Sequence, residues 1–414
     1  MEGKYDYDVI VVGAGPGGSS CAALLGKKGY NVLLIDKAKF PRDKTCGDAV
    51  SGKSLRVLRE LGIDKQIEKV QHAPVRGVIF SSPKGVQIDI PFRGKTYEGD
   101  REPGYCCKRI YMDNIFFTTA KKTKGVKTLE EFQVTGPIME GQQIIGVKGV
   151  YVKSKKPDEF RAKLIVGADG AHSVLARKTG CVTTPDPKHS CAAVRGYYKG
   201  VSGPEDRIEL HFIDEVLPGY FWIFPVGNGE HNIGLGMLIK DMQGRHVNLK
   251  GLMLNAIKTN PLFKERFKNA KPSSEIRAWN LPLGSYRQKV HGPGYLLLGD
   301  AASLVDPFTG EGMGNATASA KIASEIIDQA FRVDNFSENM LSQYSENLWA
   351  ELGSELKTSY NLQRAGKWKF LLNLVIDKAA KKPEVREFIG GTFTNEEAKR
   401  ELYSPMFYIK LLLT

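Results

Sequence analysis

Apolar residues along this chain fall into short β-branched runs near its N-terminus, alternating runs in its middle and helical spacing toward its end. The first run, Tyr7 to Val12, is continuous rather than alternating and stops at glycine, the pattern of a parallel strand buried on both faces. Small residues over 19–28 predict a closely packed helix, and 31–35 predicts a second buried strand ending in Asp36. Residues 295–298 repeat the buried-strand pattern, and a small-residue helix is expected over 315–330. Between these lie four runs, 192–199, 207–212, 220–226 and 232–239, separated by turn residues and expected to form an antiparallel sheet. Residues 364–382 set six basic side chains against one acid around Trp368, Phe370 and Leu371. That pattern predicts an amphipathic helix, docked on its own domain or lying on an anionic lipid surface.

Composition narrows the class. With 414 residues, 42% hydrophobic and 25% charged, the chain is too apolar for a disordered or fibrous protein and long enough for two to three domains. No apolar run reaches the ~18 residues that a spanning helix needs. The first strand begins after six mostly polar residues, which leaves no room for a signal peptide and leads to a cytoplasmic expectation. The six cysteines form no CxxC pair and no metal-like spacing with the seven histidines, so free thiols are expected. The net charge of +13 fits nucleic acid, an anionic membrane or an acidic ligand. Basic clusters at 121–127 and 153–163 lack interleaved aromatics, so no nucleic-acid partner is expected.

Chemistry enters at Gly13-Ala14-Gly15-Pro16-Gly17-Gly18, a G-x-G-x-x-G placed between a strand and a helix, with Asp36 closing the next strand. Gly13 permits the turn, Gly15 lets the backbone approach a pyrophosphate, and Gly18 lets helix and strand pack. Amides at the helix start face phosphate oxygens, and Asp36 accepts from ribose hydroxyls. Downstream, Gly299-Asp300 ends a strand and Gly310-Glu311-Gly312-Met313-Gly314 opens a helix. A carboxylate at a strand end suits a polyol chain, and a second glycine-rich helix start supplies amides to a ring carbonyl or phosphate. A nicotinamide carries no ribityl chain, so the pair points to a flavin dinucleotide.

The order of G-x-G-x-x-G, Arg109 with Asp113, LIVGADGAHSVLAR over 164–177 and Leu298-Gly299-Asp300-Ala301-Ala302 resembles the FAD-dependent oxidoreductases of the aromatic-hydroxylase type. Two further segments, FPRDKTCGD over 40–48 and PGYFWIFP over 218–225, are similar to the geranylgeranyl reductases, which saturate prenyl double bonds. The resemblance implies that Gly13, Ala14, Gly15, Gly18, Asp36 and Lys37 hold the ADP half of FAD, with Arg109 at the linker. It further implies that Asp300 takes the ribityl or pyrophosphate region, that Gly310, Gly312 and Met313 face the isoalloxazine, and that Cys46, Gly47 and Asp48 lie against it. Cys46 is the candidate catalytic residue, a thiol able to gain or lose a proton near neutrality. Asp169 belongs to the family's middle fingerprint, and Val134 is expected near adenine. Tyr220, Trp222 and Phe224, two apart on one strand, would share a face and line a prenyl tunnel. Where archaeal members read T-G-G-G-I, this chain reads Thr309-Gly310-Glu311-Gly312-Met313.

The expected fold class is therefore α/β. A Rossmann-type FAD-binding domain (1–70, 100–185 and 290–332) would carry an inserted antiparallel β-sheet substrate domain (71–99 and 186–289) and a C-terminal helical region (333–414). The expected reaction is hydride from reduced flavin N5 plus a proton onto an isolated prenyl double bond. The electron donor would be NAD(P)H or a ferredoxin, since a single fingerprint leaves no separate nicotinamide domain. A prenyl lipid substrate would bring the chain into peripheral contact with a membrane, and the apolar run 406–413 would close the tunnel or touch the bilayer. Rival readings are a monooxygenase or halogenase, a quinone prenyl-tail reductase, and a lipid carrier retaining FAD. For the halogenase, the imperfect W-x-W-x-I-P match leaves Lys84, Lys95 and Lys108 as candidate lysines.

Overall fold

The computed structural model describes residues 5–51, 53–92, 104–181 and 186–391; the run 406–413 lies outside them. Its first sheet is the one that the N-terminal pattern predicts. The strands Tyr295–Leu297, Pro157–Gly167, Tyr7–Val12, Val32–Ile35 and Val126–Leu129 run parallel in that order. Helices cover both faces of such a sheet, which is why Val9 to Val12 can be apolar without alternating and are all buried. Gln143–Tyr151 and Phe132–Glu140 add an antiparallel meander to the first half of the long Pro157–Gly167 strand.

Close approach holds the first turn together. Gly13 has φ +100°, and a Cβ there would lie 2.3 Å from the Ala168 carbonyl oxygen. A Cβ on Gly18 would lie 1.8 Å from the Gly13 carbonyl oxygen. The helix Pro16–Lys27 thus sits directly on the strand end, with Pro16 in its first turn and no side-chain cap. The helix Met313–Arg332 packs alongside it, and Glu338–Ala365 packs on that helix in turn.

The second sheet follows the order Ser190–Lys199, Glu230–Leu238, Tyr220–Pro225, Arg207–His211, Gly77–Ser81 and Gln87–Pro91, with Arg277–Pro282 beside the first. It is antiparallel except between Arg207–His211 and Gly77–Ser81, which run parallel. Local alternation specifies which face is buried but not the direction of a distant partner, so this pair departs from the expected wholly antiparallel sheet. Two helices, Ile239–Gly244 and Leu249–Thr259, also interrupt the strand-rich region.

Alternation divides the Tyr220–Pro225 strand between two cores. Phe221 and Ile223 pack with Met253, Phe263 and Phe267 on the outer face. Trp222 and Phe224 pack with Phe80, Leu210, Phe212 and Ile376 on the inner face. The last of these comes from the helix Lys369–Lys381, so the amphipathic segment does dock on its own protein. It is not one helix over 364–382, however. Glu338–Ala365 ends at Gly366, a turn follows, and the chain restarts at Lys369, leaving Trp368 and Phe370 68% and 65% exposed.

Candidate flavin and substrate site

The site forms where the fingerprint turn, the 42–48 turn, the Gly299–Met313 segment and the inner face of the second sheet meet. Asp36 closes the second strand, and its carboxylate accepts from the Ala14 and Ala38 amides, both at 2.8 Å. Those bonds fix the turn beside Gly15. A Cβ on Gly15 would meet nothing nearer than the Arg42 guanidinium, 3.8 Å away, unlike one on Gly13 or Gly18. Open space at an uncapped helix start with no acid in its first turn fits a pyrophosphate, and Arg42 stands beside it.

Arg42 was not among the residues expected to bind, although its segment was singled out. Asp113 holds it in place: Arg42 Nη1 donates to Asp113 Oδ2, and Arg109 donates through Nε (2.5 Å) and Nη2 (2.9 Å) to the same carboxylate. Burial alone would push the Asp113 carboxyl up, but Arg109 and Arg42 outweigh it and hold it below its ordinary value. The spacing of Arg109 and Asp113, one helical turn, was the legible signal for this clamp. Arg109 also lies in contact with the Cys46 thiol.

The Gly299–Met313 segment supplies the opposite side. Asp300 accepts from Lys44 Nζ at 3.0 Å, tying it to the 42–48 turn. Gly312 precedes the helix Met313–Arg332, which again starts without a side-chain cap or a first-turn acid. A Cβ on Gly312 would come 3.4 Å from Asp300 Oδ1, so strand end and helix start are neighbours. Two uncapped helix starts facing one region, with arginine at one and a carboxylate at the other, fit a dinucleotide with a polyol arm.

The aromatic row closes the site. Ring centroids are 6.2 Å apart for Tyr220 and Trp222 and 6.3 Å for Trp222 and Phe224, so the three share one face. The Tyr220 hydroxyl donates to the Thr309 carbonyl next to Gly310. Phe224 abuts Gly47, where a Cβ would meet its ring at 3.0 Å. The row therefore runs from the Gly310 loop to the Cys46–Asp48 turn.

Beneath that turn lies a polar network that the sequence did not signal. Trp222 Nε1 donates to Asn232 Oδ1 (2.8 Å), and Asn232 Nδ2 donates to the Cys46 carbonyl and to Asp48 Oδ2, both at 2.7 Å. Tyr197 also donates to Asp48 Oδ2 (2.7 Å), while Asp48 Oδ1 accepts from the Arg109 amide (3.3 Å). Burial pushes the Asp48 carboxyl up to about 6, against the opposing pull of Arg195 and of the bonds from Tyr197 and Asn232. Its oxygens are thus engaged by protein groups. Asp169 is engaged at one oxygen: Oδ2 accepts from the Val174 amide at 2.7 Å at the start of a short helix, while Oδ1 is buried and makes no hydrogen bond among the described residues. Lys37 is exposed beside Asp36, and Val134 is buried in the meander strand opposite Gly149.

Comparison with known proteins agrees with this geometry. The FAD binding domain family matches residues 6–346. The digeranylgeranylglycerophospholipid reductase 2 of Methanopyrus kandleri is 30% identical over 85% of this chain and 84% of its own. The menaquinone reductase of Mycobacterium tuberculosis is 33% identical over 78% of this chain and 76% of its own. In fold, the chain is similar to a geranylgeranyl bacteriochlorophyll reductase-like protein of Thermoplasma acidophilum, with TM-score 0.81 at 23% identity over 96% of this chain and 98% of that one. A flavin-dependent brominase shares the fold at TM-score 0.76, 22% identity, 94% of this chain and 95% of its own. The FAD binding domain matched over residues 6–346 and a relative 30% identical over 84% of its own length, in agreement with two uncapped helix starts bridged by Lys44 and Asp300 and an aromatic row beside them, place this chain in the geranylgeranyl reductase family of FAD-binding flavoproteins.

Proposed function

We propose that the chain saturates carbon–carbon double bonds in the geranylgeranyl or other prenyl chain of a lipid. The observation that carries this reading is the unbroken aromatic row of Tyr220, Trp222 and Phe224, seated on the Cys46–Asp48 turn at one end and on the Gly310 loop at the other. Family membership supports it. Bound FAD would supply hydride from its reduced N5.

The protein's own work is to bind, orient and dry the alkene. The ADP half of the cofactor would rest on Gly13, Ala14, Gly15, Gly18, Asp36 and Lys37, with Arg42 and Arg109 near the pyrophosphate. Asp300, Gly310, Gly312 and Met313 would hold the ribityl–flavin half. An isolated alkene offers no polar handle, so apolar area must position it, at about 0.8 kcal/mol per buried methylene. The row and the cluster around it supply that area and exclude water from a reacting carbon that needs both hydride and a proton. The Cys46 thiol is the assigned proton-bearing group, held by the Asn232 bond to its carbonyl and by Arg109 beside its sulfur.

The electron donor in this reading is NAD(P)H or a ferredoxin. The protein would meet its substrate at a membrane surface from the cytoplasm; among the described residues no helix is long and apolar enough to cross one. Halogenase chemistry is less well served. Lys108 is paired with Glu230 and lies 4.5 Å over the Tyr197 ring, Lys84 is exposed in a hairpin turn, and Lys95 lies outside the described residues.

The test is anaerobic photoreduction of the flavin-loaded protein, followed by mixing with a geranylgeranyl lipid. Flavin reoxidation with a gain of two hydrogens per turnover, read by mass spectrometry, is expected. Flavin that stays reduced until oxygen is admitted would refute the reading and favour a monooxygenase.

A further inference from the structure

Two large apolar side chains stand almost next to each other in the open. Among the described residues, Trp368 and Phe370 are 68% and 65% exposed. The other exposed large apolar residues, Tyr111, Met139, Leu254, Tyr286 and Val333, fall at five separate places along the chain. Single exposed apolar residues are ordinary, whereas an apolar patch rimmed by charge is the form of an interaction surface. Here the aromatics alternate with cations: residues 364–370 read Arg-Ala-Gly-Lys-Trp-Lys-Phe, with three basic residues and no acid.

The turn that presents them is ordered by its own backbone. The Lys367 amide donates to the Arg364 carbonyl (3.3 Å), the Trp368 amide to that of Ala365 (2.9 Å) and the Leu371 amide to that of Trp368 (2.8 Å). Of the three cations, Lys367 pairs with Asp241 at 3.3 Å, Lys369 pairs with Asp214, and Arg364 lies 6.0 Å over the Tyr360 ring. Both lysines are half-exposed, and ion pairs in that setting hold weakly, so their ammonium groups are free to turn to other anions. The centres of protein interfaces are depleted in lysine, which argues against a protein partner. A lysine beside each aromatic suits a bilayer instead. There the ring enters the boundary between headgroups and acyl chains, where Trp is enriched, while the ammonium stays with the lipid phosphates.

We propose that the 364–370 turn docks the protein on an anionic lipid surface, with Trp368 and Phe370 entering the bilayer interface and Arg364, Lys367 and Lys369 meeting the headgroups. The proposal rests on the prenyl-reductase reading for its purpose and on the turn itself for its geometry: a lipid substrate calls for a membrane contact, and this is the surface that supplies it. The turn leads into the helix Lys369–Lys381, whose Ile376 and Ala379 pack in one cluster with Phe80, Phe212, Trp222 and Phe224. Docking brings the helix that covers the aromatic row up to the bilayer, and the prenyl chain enters beside it.

The experiment floats the FAD-loaded protein with vesicles of phosphatidylcholine alone or mixed with phosphatidylglycerol. Wild type is expected to rise with the mixed vesicles at low salt, to leave them as salt is raised, and to stay behind with phosphatidylcholine alone. Trp368→Ala/Phe370→Ala and, separately, Lys367→Gln/Lys369→Gln should each lower the bound-to-free ratio at least tenfold. All four positions are exposed, so both variants are expected to keep the Tm and flavin content of wild type, which are measured alongside. Tryptophan emission should shift to the blue on mixed vesicles in wild type but not in Trp368→Phe, and this shift decides if a double variant loses its fold. None of these readouts needs turnover. The prenyl reading enters in a last arm: reduction of a geranylgeranyl lipid held in mixed vesicles should fall at least fivefold in the aromatic variant, while reduction of the same lipid in detergent stays within twofold. No reduction in either form, with vesicle binding intact, sinks the prenyl reading and still supports the docking surface. Equal vesicle binding by wild type and both variants overturns the proposal, as does equal binding of wild type to both kinds of vesicle. Wild type that ignores vesicles but self-associates, with the aromatic variant monomeric, also overturns it and assigns the turn to a second copy of the chain.

Discussion

Asp48 is fully buried, and three donors hold its carboxylate. Its backbone is in the left-handed region, φ +71°, a conformation kept only where the surroundings impose it. Tyr197, Asn232 and the Arg109 amide do so, and through Asn232 the same network fixes both the Cys46 carbonyl and the Trp222 indole. The folded-state value near 6 lies above the ordinary 3.8. The folded protein therefore binds this proton more tightly than the unfolded chain. The Asp48 contribution to stability falls as pH rises between about 4 and about 6, by roughly 2–3 kcal/mol. In Asp48→Asn that slope should vanish. The check is denaturant unfolding of both proteins across pH 4 to 7, where equal slopes would show that Asp48 is not the titrating group.

At the scale of elements, the strand–turn–helix from Tyr7 to Lys27 separates glycines that shape the protein from one that leaves room for a ligand. Gly18 has the Gly13 carbonyl 1.8 Å from where its Cβ would be, so Gly18→Ala must part the helix from the strand. Such a change in a buried contact costs on the order of 3 kcal/mol or more. Gly15 meets only the end of Arg42 at 3.8 Å, so Gly15→Ala should leave the apoprotein within about 0.5 kcal/mol of wild type. It should nonetheless lose at least tenfold in FAD affinity, because the methyl group occupies the approach to the pyrophosphate. Calorimetry of the apoproteins and equilibrium dialysis of FAD separate these effects. A Gly15→Ala protein that binds FAD normally would move the pyrophosphate elsewhere.

Across the whole molecule, what could be read from sequence was whatever is encoded locally. The strands at 7–12 and 32–35, the glycine turns and the shared face of Tyr220, Trp222 and Phe224 follow from short-range pattern, and the structure has them. What escaped depends on distant partners. Asn232 reaches Cys46 across 186 positions, and nothing around a lone asparagine in a strand announces such a bond. The parallel pairing of Arg207–His211 with Gly77–Ser81 and the helix break at Gly366 are likewise set by what packs against them. The same long-range character bears on the cofactor. Its proposed contacts come from the fingerprint turn, the 42–48 turn and the Gly299–Met313 segment, which join across 256 positions through Lys44 and Asp300. A ligand spanning such elements stabilises the fold by mass action, about 4 kcal/mol at a free concentration one thousand times its Kd. Stripping FAD should therefore lower Tm, and adding it back should raise Tm in proportion to the logarithm of its concentration. The rise should be accompanied by slower proteolysis of the 42–48 turn. In Gly15→Ala the recovery should be shifted to at least tenfold higher FAD. Recovery at the same concentration in both proteins would separate the stabilising site from the fingerprint turn.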